Sequence, residues 1–342
     1  MIEKIRSDIY RILVELPQSP LRILNSYVIL GKDRNLMIDT GFNQPECLKA
    51  LRGGIAELNL DMHKTDIFVT HFHADHSGLV ATIKSPESQI YMSSTDSEYL
   101  EFSLQSAKEH WRIIEQLYAD EGYPEEELIK VGLRNPARKF VAEKYFECNV
   151  VNHGDIIAIG DRELECVSTS GHTPGHMCLY EKNEKIMFTG DHILFDITPN
   201  ITTWRTMPEA LEKYLDSLKK VMNYDVDMTL TGHRENQGDF KKRIKELLKH
   251  HAERLESVCH IIQDNPNLNG YEVASKMEWS IRAKNWEDFP PTQKWFAVGE
   301  ALSHLNYLAD RGKIRKKITD GIYTYEIADT FSESDFNEIV NM

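Results

Sequence analysis

Paired cysteines, long apolar runs and excess positive charge are all missing from this chain. Its five cysteines, Cys47, Cys148, Cys166, Cys178 and Cys259, are odd in number and widely spread, and none forms a CxxC pair. That usage fits reduced thiols acting as packing residues better than a disulfide framework. No apolar run approaches the ~20 residues that cross a bilayer, and Met1 to Leu16 mixes charges throughout instead of building a signal-peptide core. A cytoplasmic protein with no membrane partner is therefore expected. Lysine and arginine total 40 against 54 aspartates and glutamates, a net charge of −14, which repels nucleic acid and anionic surfaces before any contact forms. No internal repeat or low-complexity segment stands out.

What the chain does contain is ordinary globular composition, 41% hydrophobic and 27% charged over 342 residues, enough for a large main domain and a smaller appendage. From Ile9 to about Val69, β-rich runs (IYRILVEL, NSYVILG, NLMIDTG, DIFVT) alternate with turns and one helical stretch. Residues 95–147 change texture, with Glu, Lys, Leu and Tyr at helical spacing, and read as a helical insertion. Its aromatic residues Tyr99, Phe102, Trp111, Tyr118 and Tyr123 are expected in a helix core. Strand patterns resume with DIIAIG, ELECVSTSG, MCLYE and KIMFTGD; a helix is expected from Pro208 to about Met222, and DMTLTG closes the first domain. Long helices follow. The segment ALSHLNYLADRGKIRKKITDGIYTYEI resembles the recognition helix, turn and two-stranded wing of a winged-helix domain. The expected division is 1–240 for the main domain, carrying the insertion, and 241–342 for a mainly α, winged-helix-like domain.

The chemistry concentrates directly after the strand DIFVT, in Thr70-His71-Phe72-His73-Ala74-Asp75-His76-Ser77-Gly78, where four ligand-type side chains fall within six positions. Imidazole nitrogen and carboxylate oxygen are donors that borderline divalent metals accept, and packing them this densely is costly without a cation. Later apolar runs end in the same way. STSGHTPGH supplies His172, MFTGDH supplies Asp191 and TLTGH supplies His233, each beside glycine. Strand ends along one edge of a sheet converge on one crevice, and glycine permits the close backbone approach this needs.

Taken in order, HFHADHSG, GHTPGH, TGDH and TGH resemble the metal-binding motifs of the metallo-β-lactamase superfamily, over roughly residues 10–235. The resemblance implies an α+β fold, an αββα sandwich with two divalent ions at one edge, zinc in the first instance and Fe²⁺ or Mn²⁺ as alternatives. It further implies that His71, His73 and His172 hold one ion, that Asp75, His76 and His233 hold the other, and that Asp191 bridges them. Asp75 counts both as ligand and as the catalytic residue. Asp39, in Ile38-Asp39-Thr40-Gly41, resembles the carboxylate that fixes a ligating imidazole; His176 and His192 are near-site residues outside the ligand pattern.

Such a centre activates water at neutral pH and polarises a scissile carbonyl through a metal-bridging hydroxide, yet the ligand set alone does not separate thioesters, lactones, amides and phosphodiesters. About a hundred residues separate His76 from His172, and the insertion could wall a narrow apolar pocket. A small acyl thioester is the leading substrate expectation, as in glyoxalase II, with a lactonase or an endoribonuclease/phosphodiesterase as alternatives and a mono-iron sulfur dioxygenase behind them. Arg311, Lys313, Arg315, Lys316 and Lys317 form a basic wing-like cluster, but the chain after position 240 carries 15 basic residues and 16 acidic ones. A nucleic-acid module is normally basic on one face, so a small-molecule substrate is expected, nucleic acid is not, and a homodimer is compatible with the insertion.

Overall fold

Apolar and β-branched residues in short runs separated by turn residues produce strands wherever both faces can be covered. In the computed structural model, which describes residues 1–17, 19–235 and 238–341, the chain divides into two units. One comprises Met1–Ala107, Pro136–Pro199 and Asn223–Phe240; the other comprises Lys108–Asn135, Asn200–Met222 and the chain from Lys241. The middle of the helical insertion thus belongs with the C-terminal segment and its two ends with the sheets.

The first unit holds two sheets. Strands β1 (Ile2–Lys4), β2 (Ile9–Glu15), β3 (Ile23–Ile29), β4 (Asn35–Ile38), β5 (Thr65–Phe68), β6 (Ile90–Ser93) and β7 (Asn149–Val151) lie side by side in chain order. The second sheet uses β8 (Ile156–Ile159), β9 (Arg162–Ser168), β10 (Met177–Glu181), β11 (Ile186–Gly190) and β12 (Met228–Thr231), again with chain neighbours side by side. All four residues of β5 are buried, as are all five of β10 and of β11, which is what strands covered on both faces require. Between the sheets, Tyr27, Ile29, Leu36 and Phe68 meet Leu164, Leu179, Phe188 and Leu230, with Tyr27 and Phe188 edge to face at 5.4 Å. The opposite face of the seven-stranded sheet, through Ile12, Val28, Met37 and Ile67, is covered by Cys47 and Leu51 of the helix Pro45–Glu57 and by Leu79 and Val80. Each such side chain contributes about 1.5–3 kcal/mol on burial.

Strand direction positions the site. β4–β5, β5–β6 and β6–β7 pair in parallel, as do β11 and β12, whereas β9 and β11 each run antiparallel to β10 and so share one sense. In each sheet, therefore, several strands deliver their C-terminal ends to the same edge.

In the second unit the helix Pro291–Asp310 is followed by an antiparallel hairpin, β14 (Ile314–Thr319) with β15 (Ile322–Ile327), and β15 also pairs with β13 (Leu268–Asn269). A helix followed by a two-stranded wing is the arrangement read from the sequence. Helices Ala107–Asp120 and Glu125–Arg134 carry the middle of the insertion. Tyr118 stacks on Trp295 at 3.6 Å, and Lys294 donates to Glu127 at 2.9 Å. Tyr118 and Tyr123 are core residues, as expected from the sequence. Phe102 is not: it is 39% exposed on the helix Ser94–Gln105. Four cysteines are buried and Cys148 partly so, all five as free thiols. No described helix is long and apolar enough to cross a membrane.

One polar contact ties the first unit together. Arg162, at the start of β9, donates to both carboxylate oxygens of Asp8 at 2.7 and 2.8 Å and to Glu184 at 2.8 Å, and lies 3.5 Å from the buried Glu181. Arg162→Met strands Glu181 without a counter-ion and should cost about 3 kcal/mol in urea unfolding at neutral pH. The Arg162 hydrogen bond holds the Asp8 carboxyl below its ordinary value of 3.8. Its contribution is therefore complete above that value and fades as the pH falls through the lower folded one, so the gap between wild type and variant narrows in acid. An equal gap at neutral and acid pH contradicts this.

Candidate metal centre

The β5 strand ends at Phe68, and the chain turns through Thr70 and His71 into the short helix Ala74–Ser77, with His73 just before it. That single helical turn points Asp75 and His76 back toward the strand ends. β9, β11 and β12 then contribute His172, Asp191 and His233 from the residues just beyond them. The structure brings all seven together as three overlapping groups whose donor atoms lie within 4.8 Å of one another: His71, His73 and His172; His71, His76 and Asp191; and Asp75, His76 and His233.

The short distances are between like groups. His73 Nδ1 lies 3.0 Å from His71 Nε2 and 3.0 Å from His172 Nε2, and His76 Nε2 lies 3.2 Å from His233 Nε2. Asp191 stands between the two trios, with Oδ1 3.5 Å from both His76 Nε2 and His233 Nε2 and Oδ2 3.6 Å from His172 Nε2. Its Oδ1 is buried with no hydrogen-bond partner. A buried carboxylate oxygen without a donor costs a few kcal/mol, and a divalent cation supplies what the protein withholds. The donors fit such ions: imidazole and carboxylate, grouped in threes, with one carboxylate facing both groups.

The remaining ring nitrogens fix how these side chains point. His76 Nδ1 donates to Asp39 Oδ2 at 2.7 Å and His233 Nδ1 donates to the Ile23 carbonyl at 2.7 Å, which leaves both Nε2 atoms facing the crevice. Asp39 also accepts from the Thr70 backbone N–H at 2.9 Å and the Thr70 hydroxyl at 2.8 Å; it sits in the left-handed region at φ +60°, a conformation Asp and Asn tolerate. This is the carboxylate partner expected of it from the sequence. His176 lies outside the ligand groups: it meets the Thr169 hydroxyl at 2.8 Å, and its Nε2 accepts from the Asp191 backbone N–H at 3.2 Å. His192 is buried nearby, its ring 6.1 Å from that of His176. Gly232 allows close approach to the bridging carboxylate position, because a Cβ there would meet Asp191 Oδ1 at 2.7 Å.

Burial and then the neighbouring His172 depress His73 to about 3. Burial raises the Asp75 carboxyl, but the His233 hydrogen bond and the adjacent imidazoles outweigh it and hold it at about 2. At neutral pH both are thus in the deprotonated form that binds metal.

A model of the metallo-beta-lactamase superfamily matches residues 20–233. The chain belongs to that superfamily. Its two-sheet fold and its clusters of groups able to hold a metal are those of a metallo-hydrolase, and a model described as "Metallo-beta-lactamase-like, C-terminal domain" matches residues 288–328, across the helix and hairpin of the second unit. Among curated relatives, the chain is 23% identical over 287 residues to "Beta-lactamase-like protein 2 homolog" of Caenorhabditis elegans, covering 82% of this chain and 81% of that one. It is 24% identical over 280 residues to "Acyl-coenzyme A thioesterase MBLAC2" of Bos taurus, covering 78% and 89%. A metallo-beta-lactamase family protein of Thermus thermophilus superposes with a TM-score of 0.81 at 24% identity, over 95% of this chain and 100% of the other, and so shares the fold.

Two residues of the site escaped the sequence reading, Thr70 and Asp96. Thr70 opens the histidine-rich segment but is not a metal-donor side chain, while Asp96 follows a strand end on the productive edge, a signal visible only once parallel β5–β6 pairing is known. Asp39→Asn keeps the backbone conformation and removes the charge that orients His76. It should weaken divalent-metal affinity about 10- to 100-fold in chelator competition; unchanged affinity would show that Asp39 is a turn residue only.

Proposed function

We propose that this chain is a hydrolase of small acyl thioesters that uses two divalent ions, zinc in the first instance. The observation that carries the reading is the pair of donor trios with Asp191 between them, its two carboxylate oxygens facing opposite groups. His71, His73 and His172 would hold one ion and Asp75, His76 and His233 the other. Bound there, divalent ions supply Lewis-acid activation of water and polarisation of a carbonyl.

The chain's own residues decide the rest. Asp39, the Ile23 carbonyl and the Asp191 backbone N–H lock the imidazoles of His76, His233 and His176 in place before substrate arrives, so little reorganisation is needed during reaction. Side chains that hold an ion have no proton to give a departing group. A thiolate leaves without one, whereas an amine does not, and this favours thioesters. Beside His73, the Phe72 ring stacks on Tyr99 at 5.4 Å, an aromatic surface suited to an acyl chain. The acyl-coenzyme A thioesterase among the relatives supports the same reading.

The wing's cations are largely engaged by carboxylates of the second unit: Lys316 with Glu121 at 2.6 Å, Lys317 with Glu326 at 2.5 Å, Lys313 with Asp335 at 2.8 Å and Arg311 with Glu212 at 3.4 Å. Paired cations neutralise few phosphates, which supports a structural role for the wing and a small-molecule substrate.

Thiol release from a panel of acyl-CoA and S-acylglutathione thioesters, with metal-loaded protein and Asp75→Ala beside it, tests the proposal. Turnover that falls at least about a thousandfold in the variant is expected, since removing a metal ligand removes activated water. Silence of the wild type across the panel, with activity on lactones or RNA, would contradict the thioester reading.

A further inference from the structure

The strand β6 ends at Ser93, on the edge where β5 delivers His71, and the next helix, Ser94–Gln105, opens with Asp96 in its first turn. Ser93 caps that helix by accepting from the Asp96 backbone N–H at 3.2 Å. A carboxylate three residues after a serine cap commonly folds back to the cap's own N–H. The Asp96 carboxylate turns away instead. It is fully buried, and its partners are neutral groups on two loops that are far apart in sequence.

Its Oδ2 accepts from the Phe72 backbone N–H at 3.1 Å, between His71 and His73. The same oxygen accepts from the Thr173 hydroxyl at 2.6 Å, and Oδ1 accepts from the Gly175 backbone N–H at 2.6 Å, so the other end of the bridge grips the residues just after His172. The loop comes so close that a Cβ on Gly175 would lie 2.2 Å from Ser93 Oγ and 2.6 Å from the Asp96 backbone nitrogen; only glycine fits there without displacement. Burial pushes the Asp96 carboxyl up to about 6 even with three donors, so the fold maintains a costly buried group at this position. A cap alone needs no such burial, since a solvent-facing serine or aspartate does as well.

We propose that Asp96 is a positioning residue that sets the spacing of His71 and His73 against His172, and hence the affinity of the site these three imidazoles form, while leaving the Asp75–His76–His233 site to its own supports, Asp39 and the Ile23 carbonyl. The inference rests on the metal-binding reading of the two trios. It gives the first trio a support that the second lacks, beside the Thr70 hydroxyl that meets both His71 Nδ1 at 3.0 Å and Asp39 Oδ2 at 2.8 Å, so the first site can be weakened more than the second.

The test is a cobalt(II) titration of the full chain against a competing chelator, followed by visible absorption, for wild type, Asp96→Asn and Thr173→Val, with thermal unfolding of the metal-free proteins alongside. Wild type should bind two equivalents. Asp96→Asn should lose about tenfold or more in affinity for one equivalent and keep the other within about threefold, and Thr173→Val, which deletes one donor at nearly constant shape, should weaken the same equivalent by less. A merely structural role lowers the melting temperature and weakens both equivalents alike, or neither, and either result overturns the proposal. Should Asp96→Asn fail to fold, Thr173→Val decides by the same criterion. A wild type that takes up no cobalt overturns the metal reading itself, an outcome distinct from a wild type that binds two and an Asp96→Asn variant that matches it.

Discussion

Parallel pairing of β4, β5 and β6 in one sheet, and the shared sense of β9, β11 and β12 in the other, bring strand ends of like direction to one edge of each sheet. Everything in the centre follows from that constraint. A strand end is where the chain leaves its hydrogen-bonded ladder and is free to turn, so side chains there can be aimed without breaking the sheet. The loops after β5, β9, β11 and β12 each aim ligands into the same crevice. The β layers, sealed by Tyr27, Phe68 and Phe188 between them, give those loops a rigid base, as a preorganised site requires.

Such crowding opposes folding. His73 Nδ1 faces both His71 Nε2 and His172 Nε2 and can pair well with only one of them, and a buried carboxylate oxygen with no donor is unfavourable in a dry interior. Several of these groups are fixed from behind: His71 by the Thr70 hydroxyl, His76 by Asp39, His233 by the Ile23 carbonyl, and the backbone of Asp191 by His176. The sandwich supplies the rigidity, and the outer hydrogen bonds convert it into orientation. Cations held there would complete the charge balance and couple metal binding to stability.

How much of this could be read from the chain depended on distance along it. The HFHADH segment is local, six consecutive positions with four donors, and it was legible at once. His172, Asp191 and His233 were legible because each closes an apolar run beside glycine. Asp39 was legible through its place after β4. Asp96 was not, because its role exists only through Thr173 and Gly175, which lie 77 and 79 residues away, and a serine-capped helix start explains it equally well in one dimension. The insertion illustrates the same limit. Helical texture from 95 to 147 was plain, yet its attachment rests on Tyr118 meeting Trp295 and Glu127 meeting Lys294, pairings that no local pattern announces. Phe102 was assigned to a core on hydrophobicity alone, and its helix turns it outward instead.

An anomalous difference map from crystals of the metal-loaded chain tests the central claim most directly. Two peaks are expected, one within coordination distance of His71, His73 and His172 and one of Asp75, His76 and His233, with the Asp191 carboxylate reaching both. A single peak, or peaks elsewhere with these imidazoles left in mutual contact, would contradict a two-ion centre built from the strand ends.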